Sequence, residues 1–163
     1  MLPKRHLSHV QGYLGLGMIA EAAAEYELIP AEHRATPEAQ ALHLAVLHEQ
    51  QDWPAVRDLA GVLVRRTPKD AELWVTWAYA TRRADSLEAA EKILLEAEKK
   101  HPADATIQFN LGCYACQRGD LRAARRRVDC AIGLEPNFAK SAATDCDLAP
   151  LRAAAATEGQ SGD

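Results

Sequence analysis

The sequence predicts an all-α protein: an array of stacked helix–turn–helix units rather than one globular catalytic domain. Three observations carry this. Pro68, Pro102 and Pro136 fall 34 residues apart. Ile19, Trp53, Leu87 and Leu121 form an apolar column at the same period, and Ala22, Val56, Ala90 and Ala124 form a second column three residues later. No insertion interrupts the register. A helical hairpin of this length cannot bury its apolar faces alone, so it must stack on its neighbours.

The period divides the chain into consecutive units. Residues 3–36 form a degenerate first repeat or amino-terminal cap, followed by repeats over 37–70, 71–104 and 105–138. Residues 139–150 read as a carboxy-terminal capping helix, and 151–163, rich in Ala, Gly, Ser and Gln, as a disordered tail. The fourth unit is clearest. Apolar residues at three- and four-residue spacing predict a helix from about Ala105 to Arg118, a Gly119-Asp120 turn, and a helix from about Leu121 to Leu134. Asp70 and Asp104, each two residues after a proline, can cap first helices. Thr36-Pro37 sets a cap before a proline at the first helical position, while Ser86 and Asp120 can cap second helices. In the first unit Pro30 ends the second helix early and leaves 31–35 as a longer link.

Composition sets outer bounds. The 163 residues are 48% hydrophobic, as a folded chain requires, and a net charge of −4 with a pI near 5.9 gives no bulk attraction to nucleic acid or anionic membrane. The first twenty residues are too interrupted by polar and glycine positions for a signal-peptide core, and no run approaches the roughly 20 apolar residues needed to span a bilayer. The expected location is cytoplasmic. Cys113, Cys116, Cys130 and Cys146 are expected as reduced thiols.

The repeats resemble the tetratricopeptide repeat family, whose pattern is an aromatic, Leu-Gly, Tyr, a helix-packing Ala, a large apolar residue and a closing Pro within 34 residues. The fourth unit supplies Leu111-Gly112, Ala124, Val128, Ala131 and Pro136; the third supplies Trp74, Ala78, Ala90, Leu94, Ala97 and Pro102. The second offers Leu47, Asp52-Trp53, Ala60, Leu63 and Pro68 but has His43-Leu44 where Leu-Gly is usual, and the first matches through Tyr13, Ala22 and Tyr26. The resemblance covers residues 3–138. It implies a right-handed superhelical α-solenoid whose first helices line a concave groove. Carried onto this numbering, the groove register nominates Leu7 and Gln11, then Leu42, His48, Glu49, Val75, Thr76, Tyr79, Arg82, Arg83, Phe109, Asn110, Cys113 and Gln117. Tyr79 and Phe109 would supply rigid anchoring area, Asn110 a backbone hydrogen bond, and Arg82 or Arg83 a carboxylate partner. Alternatively, the two arginines simply solvate a helix end.

The basic clamp with which some members grip chaperone tails is missing, because Leu7, Gln11, Leu42, Glu72 and Thr76 stand at its positions. The implied role is a non-catalytic adaptor or scaffold holding a segment of a protein partner; the alternative is a secretion-type chaperone. The ending after Pro136 is similar to that of some bacterial repeat proteins. Exposed repeat ends also allow copies of the chain to associate.

Other chemistry is weakly signalled. Cys113 and Cys116 have C-x-x-C spacing, which admits a metal- or redox-responsive regulator, but they lie mid-helix and lack a second pair. His6, His9 and His43 raise the question of a metal, with His9 and His43 in one register. Arg118, Arg122, Arg125, Arg126 and Arg127 form a basic patch without interleaved aromatics, read as a solvated face. No phosphate loop, serine elbow or catalytic carboxylate pair is present. The expectation is no enzyme activity, no cofactor, no bound metal and no nucleic-acid or membrane partner.

Overall fold

The computed structural model describes residues 2–160, which contain α-helices and short 3-10 turns and, among the described residues, no strand. The all-α expectation holds. The chain divides into two compact units, residues 1–60 and 61–163.

The first unit holds α1 (Leu2–Gly15), α2 (Ile19–Glu27), a 3-10 turn (Ala31–His33), α3 (Pro37–Glu49) and the start of α4 (Trp53–Arg66). Gly17, at φ 71°, takes the left-handed conformation that reverses the chain between α1 and α2. Pro30 follows the early end of α2, as its missing amide requires. The free carbonyls there are satisfied by Arg34, whose Nε donates to the Ile29 oxygen at 2.7 Å and Nη2 to that of Glu27 at 2.6 Å. Thr36 Oγ1 accepts from Ala39 N and Pro37 opens α3. Leu7, Val10, Ala22, Tyr26, Ile29, Ala39 and Val46 make the core. Leu7, nominated for the groove, is instead a core residue because α1 packs it inward against α2 and α3.

The second unit takes the end of α4, then α5 (Ala71–Ala84), α6 (Leu87–Lys100), α7 (Ala105–Gln117), α8 (Leu121–Leu134), α9 (Phe138–Thr144), a 3-10 turn (Cys146–Leu148) and α10 (Ala149–Gln160). Asp70, Ser86, Asp104 and Asp120 accept from amides of the first turns of α5 to α8. The Pro68 carbonyl accepts from Trp74 Nε1 at 2.9 Å and lies 3.1 Å from His101 Nε2, which ties the link before α5 to the end of α6. Trp74, Ala78, Ala90, Leu94, Ile107, Leu111, Ala124 and Val128 build a continuous core. At its centre Gly112 of α7 lies so close to α8 that a Cβ there would stand 2.9 Å from Val128 Cγ2. Three helices are also joined by polar contacts: Arg127 of α8 donates to both carboxylate oxygens of Glu98 on α6 and, at 2.7 Å, to Gln108 Oε1 on α7, while Gln108 Nε2 donates to Glu98 at 2.8 Å. Gln108 is buried, and both its amide nitrogen and its amide oxygen have a partner.

The carboxy-terminal end differs from expectation. The capping helix stops at Thr144, the chain extends at Asp145 (ψ 126°), and the stretch from residue 151, where the composition predicts disorder, is helical to Gln160. Two physical reasons account for this. Ala153–Ala156 is a run of the strongest helix former, and Leu148 and Leu151 are buried, so their apolar area ties the segment to α7 and α8. Arg152 Nη1 braces the corner by donating to the carbonyls of Ala142 and Asp145. The end of that expected tail, residues 161–163, lies outside the described residues.

Candidate functional site

In the first unit, Leu42, His48 and Glu49 sit on α3. Leu42 is half-buried against the core, and His48 and Glu49 are exposed on the last turn, where His48 meets the edge of Trp53 at 5.3 Å. The histidines do not converge on a metal. His6 and His9 each place Nδ1 against Glu25 Oε1, at 2.6 and 3.1 Å, whereas His43 stacks on Tyr26 at 4.4 Å. The hydrogen bond from His6, with a smaller one from His9, pulls Glu25 below the usual carboxylate range.

Of the remaining nominated residues, Gln11 is exposed on α1 of the first unit, and the others lie in the second unit, on the face formed by α5 and α7, which has two distinct halves. Its amino-terminal half is open: Val75 and Thr76 line a shallow depression of about 410 Å³ with Ala71, Glu72, Asp104 and Thr106. Next along α5 comes Tyr79, exposed, its ring covered at 4.2 Å by the Arg83 guanidinium, which also donates to the hydroxyl. On α7, Asn110 Nδ2 donates to the Thr106 carbonyl at 2.9 Å, which fixes the amide along its own helix.

The carboxy-terminal half is covered by residues 145–151. Arg82 of α5 forms a forked ion pair with the Asp147 carboxylate and stacks over Tyr114 at 5.3 Å. Gln117 Nε2 donates to the Asp147 carbonyl at 2.8 Å. Two nominations are thereby corrected. Phe109 is buried and packs on Phe138 at 4.8 Å, and Cys113 is only 3% exposed, so neither presents a side chain to a partner. The chain's own ending occupies the surface that the repeat register left open.

Burial, aided by Asp145 and Asp147, pushes the Cys113 thiol up to about 12 and burial pushes Tyr114 up to about 12. A thiol held there is a poor nucleophile. Cys116 is likewise buried, whereas Cys130 and Cys146 are exposed; all four are free. Cys113, Asp145 and Asp147 bring three potential metal-ligating atoms within 4.8 Å of one another. Asp147 is already committed to Arg82 and Cys113 favours its proton, so the group is better accounted for as the anchor of the turn. The basic patch is also partly spent: Arg118 pairs with Glu91 at 3.1 Å and Arg127 with Glu98. Arg122, Arg125 and Arg126 line a depression with Leu121, Leu151 and Ala154.

Sequence reading missed Asp147 altogether. The available signal was an acidic residue with leucines one and four positions later, 148 and 151, the spacing of a turn that docks one face.

No protein-family model matches the sequence, and no curated protein matches it. Solved structures do. MamA from Desulfovibrio magneticus superposes with a TM-score of 0.73 at 17% identity, over 83% of this chain and 76% of that one. A thermophilic tetratricopeptide-repeat protein of Thermus thermophilus, TTC0263, gives 0.67 at 21% identity over 93% and 82%. YrrB, described as a tetratricopeptide-repeat protein with an unusual peptide-binding site, gives 0.70 at 16% over 84% and 72%. The fold is that of the tetratricopeptide repeat, as the sequence resemblance implied. Among the described residues no helix is long and apolar enough to cross a membrane.

Proposed function

We propose that the protein is a non-catalytic interaction module, an adaptor that holds a peptide segment of a partner protein on the α5–α7 face. The observation that carries this reading is the open half of that face: an accessible aromatic, Tyr79, oriented by Arg83, beside a depression floored by Val75 and Thr76. A rigid aromatic costs little conformational entropy to immobilise and supplies a large contact area, which is why such residues anchor interfaces. Glu72 and Asp104 lie at one end and Arg82 and Arg83, engaged with Asp147 and Tyr79, at the other, so a segment basic at one end and acidic at the other suits the surface. The peptide-binding site named for YrrB, on a similar fold, is consistent with this use. Four free thiols suit a reducing compartment, and we place the protein in the cytoplasm.

The test is affinity purification of the tagged chain from its native cell beside two variants, Tyr79→Ala and Thr76→Arg. A partner captured by the parent and lost from both variants, with unchanged melting, supports the reading. A partner retained by both would move the interaction off this face and sink it.

A further inference from the structure

The covered half of the α5–α7 face shows what kind of polypeptide it accepts. Asp147 enters a fork from Arg82, its carbonyl is taken by Gln117, Leu148 is 1% exposed, and Leu151, one helical turn later, is 9% exposed. These residues form an Asp-Leu-x-x-Leu turn: an acid read by a planar guanidinium, then Leu148 against α7 and Leu151, which shares a depression with Leu121, Arg122 and Arg125 of α8, so that the seat runs from the α5–α7 face onto α8. The turn joins α9 through a single extended residue, Asp145. Beyond Leu151 the α10 side chains at 153, 155, 156 and 157 are exposed. The seat is also continuous with the open half, since Val75, Tyr79 and Arg82 follow one another at three- and four-residue spacing along α5.

We infer that this seat is a recognition site for partner segments carrying an Asp-Leu-x-x-Leu turn, and that residues 145–151 are its resident ligand in cis. The inference rests on the interaction-module reading and supplies the chemistry of its ligand. A segment crossing the depression at Val75 and Thr76 and anchored at Tyr79 would reach Arg82 with its acidic residue, displace Asp147 from the fork, and bury its leucines where Leu148 and Leu151 lie. The partner then binds with an affinity reduced by the fraction of time the resident turn is in place. Charge at Arg82 sets which segments are admitted, because an unpaired guanidinium facing an apolar or basic residue would lose its hydrogen bonds without replacement.

The probe is a fluorescent peptide of residues 143–155 with Cys146→Ser, measured by anisotropy against the full-length chain. Wild type is expected to bind weakly. Asp147→Lys/Leu148→Ala, which loosens the resident turn, is expected to bind at least about tenfold more tightly, the factor that follows if the turn covers the seat nine-tenths of the time or more. Adding Arg82→Gln, which keeps a polar side chain but cannot pair as an ion with the resident lysine, should abolish that gain. If the double variant does not fold by circular dichroism, Asp147→Lys alone serves for the same comparison. No binding by the folded loosened variant, or binding indifferent to Arg82, would overturn the inference. A wild-type dimer dispersed by Arg82→Glu would do so too, since it would assign the seat to a second copy of the chain. Failure here with a partner still lost from Tyr79→Ala would leave the interaction module standing; peptide binding here with no partner lost from Tyr79→Ala would do the reverse.

Discussion

Replacing Gly112 by alanine should destabilise the second unit, although the same change one helix away at Gly133 should stabilise it. A Cβ at Gly112 would stand 2.9 Å from Val128 Cγ2, 3.2 Å from Arg127 Cβ and 3.3 Å from Val128 N. The first of these is about 0.6–1.1 Å short of the carbon–carbon optimum. The neighbours cannot yield locally, because valine is stiff at χ1 in a helix and the third contact is backbone. Relief therefore requires α7 and α8 to move apart, which also stretches the Arg127 contacts to Glu98 and Gln108. Overpacking of this kind costs ~1–3 kcal/mol. Loss of a mid-helix glycine returns about 1 kcal/mol. Gly133 has nothing within 4 Å of its would-be Cβ, so Gly133→Ala gains only the propensity. The two variants should differ by ~1–3 kcal/mol, about 2–4 °C in Tm for each kcal/mol at this chain length. Differential scanning calorimetry and urea titration of both variants measure it. A Gly112→Ala chain as stable as Gly133→Ala would show that the helices do not meet there as closely as described.

Leu148→Ala should cost ~2–5 kcal/mol of second-unit stability, as a fully buried leucine does. Unchanged urea midpoints would mean that the ending is not docked. Arg127→Ala should cost ~1–3 kcal/mol, because it strips hydrogen bonds from Glu98 and from the buried Gln108 amide; Gln108→Leu paired with it should recover part of the loss in a double-mutant cycle. Glu25 is held below the usual carboxylate range, so it binds a proton less readily folded than unfolded. Its contribution is present above the ordinary carboxylate value and is lost as pH falls through the lowered one. Glu25→Gln should flatten first-unit stability in that acidic window, and an unaltered pH profile would count against the His6 and His9 contacts. Alkylation of the native chain should modify Cys130 and Cys146 well before Cys113 and Cys116, with mass spectrometry as the readout. Early loss of the Cys113 thiol would revive a redox role.

What the sequence made legible is what local physics decides. The period-34 prolines, the small residues of the second apolar column and four side-chain caps announce helices that begin where Asp70, Ser86, Asp104 and Asp120 accept hydrogen bonds. Gly112 could be recognised as a place of close approach because it stands at the Leu-Gly position of the repeat pattern, whereas the helical Gly133 has open space around it. The same logic misled at Phe109 and Cys113. Repeat register says which side of a helix faces away from its hairpin partner, but it does not say whether that side meets solvent.

That question is decided by non-local packing at the carboxy-terminal end, where two signals compete. The composition of residues 151–163 reads as polar and low in large apolar side chains, which favours disorder. Yet a segment needs only a few well-placed contacts to dock on a preformed surface, since the surface has already met its own ordering entropy. Leu148, Leu151 and one ion pair suffice here because Arg82, Tyr114 and Gln117 project from α5 and α7, whose backbones are fixed by the repeat core. The side chains that the repeat pattern assigns to partner binding are thus divided by position along the two helices. Val75, Thr76 and Tyr79 remain accessible, while Phe109 and Cys113 are covered and Arg82 and Gln117 are already engaged with the turn. Any partner that uses the whole length of the face must therefore compete with the chain's own ending, so its affinity is set as much by Leu148 and Asp147 as by the residues it touches.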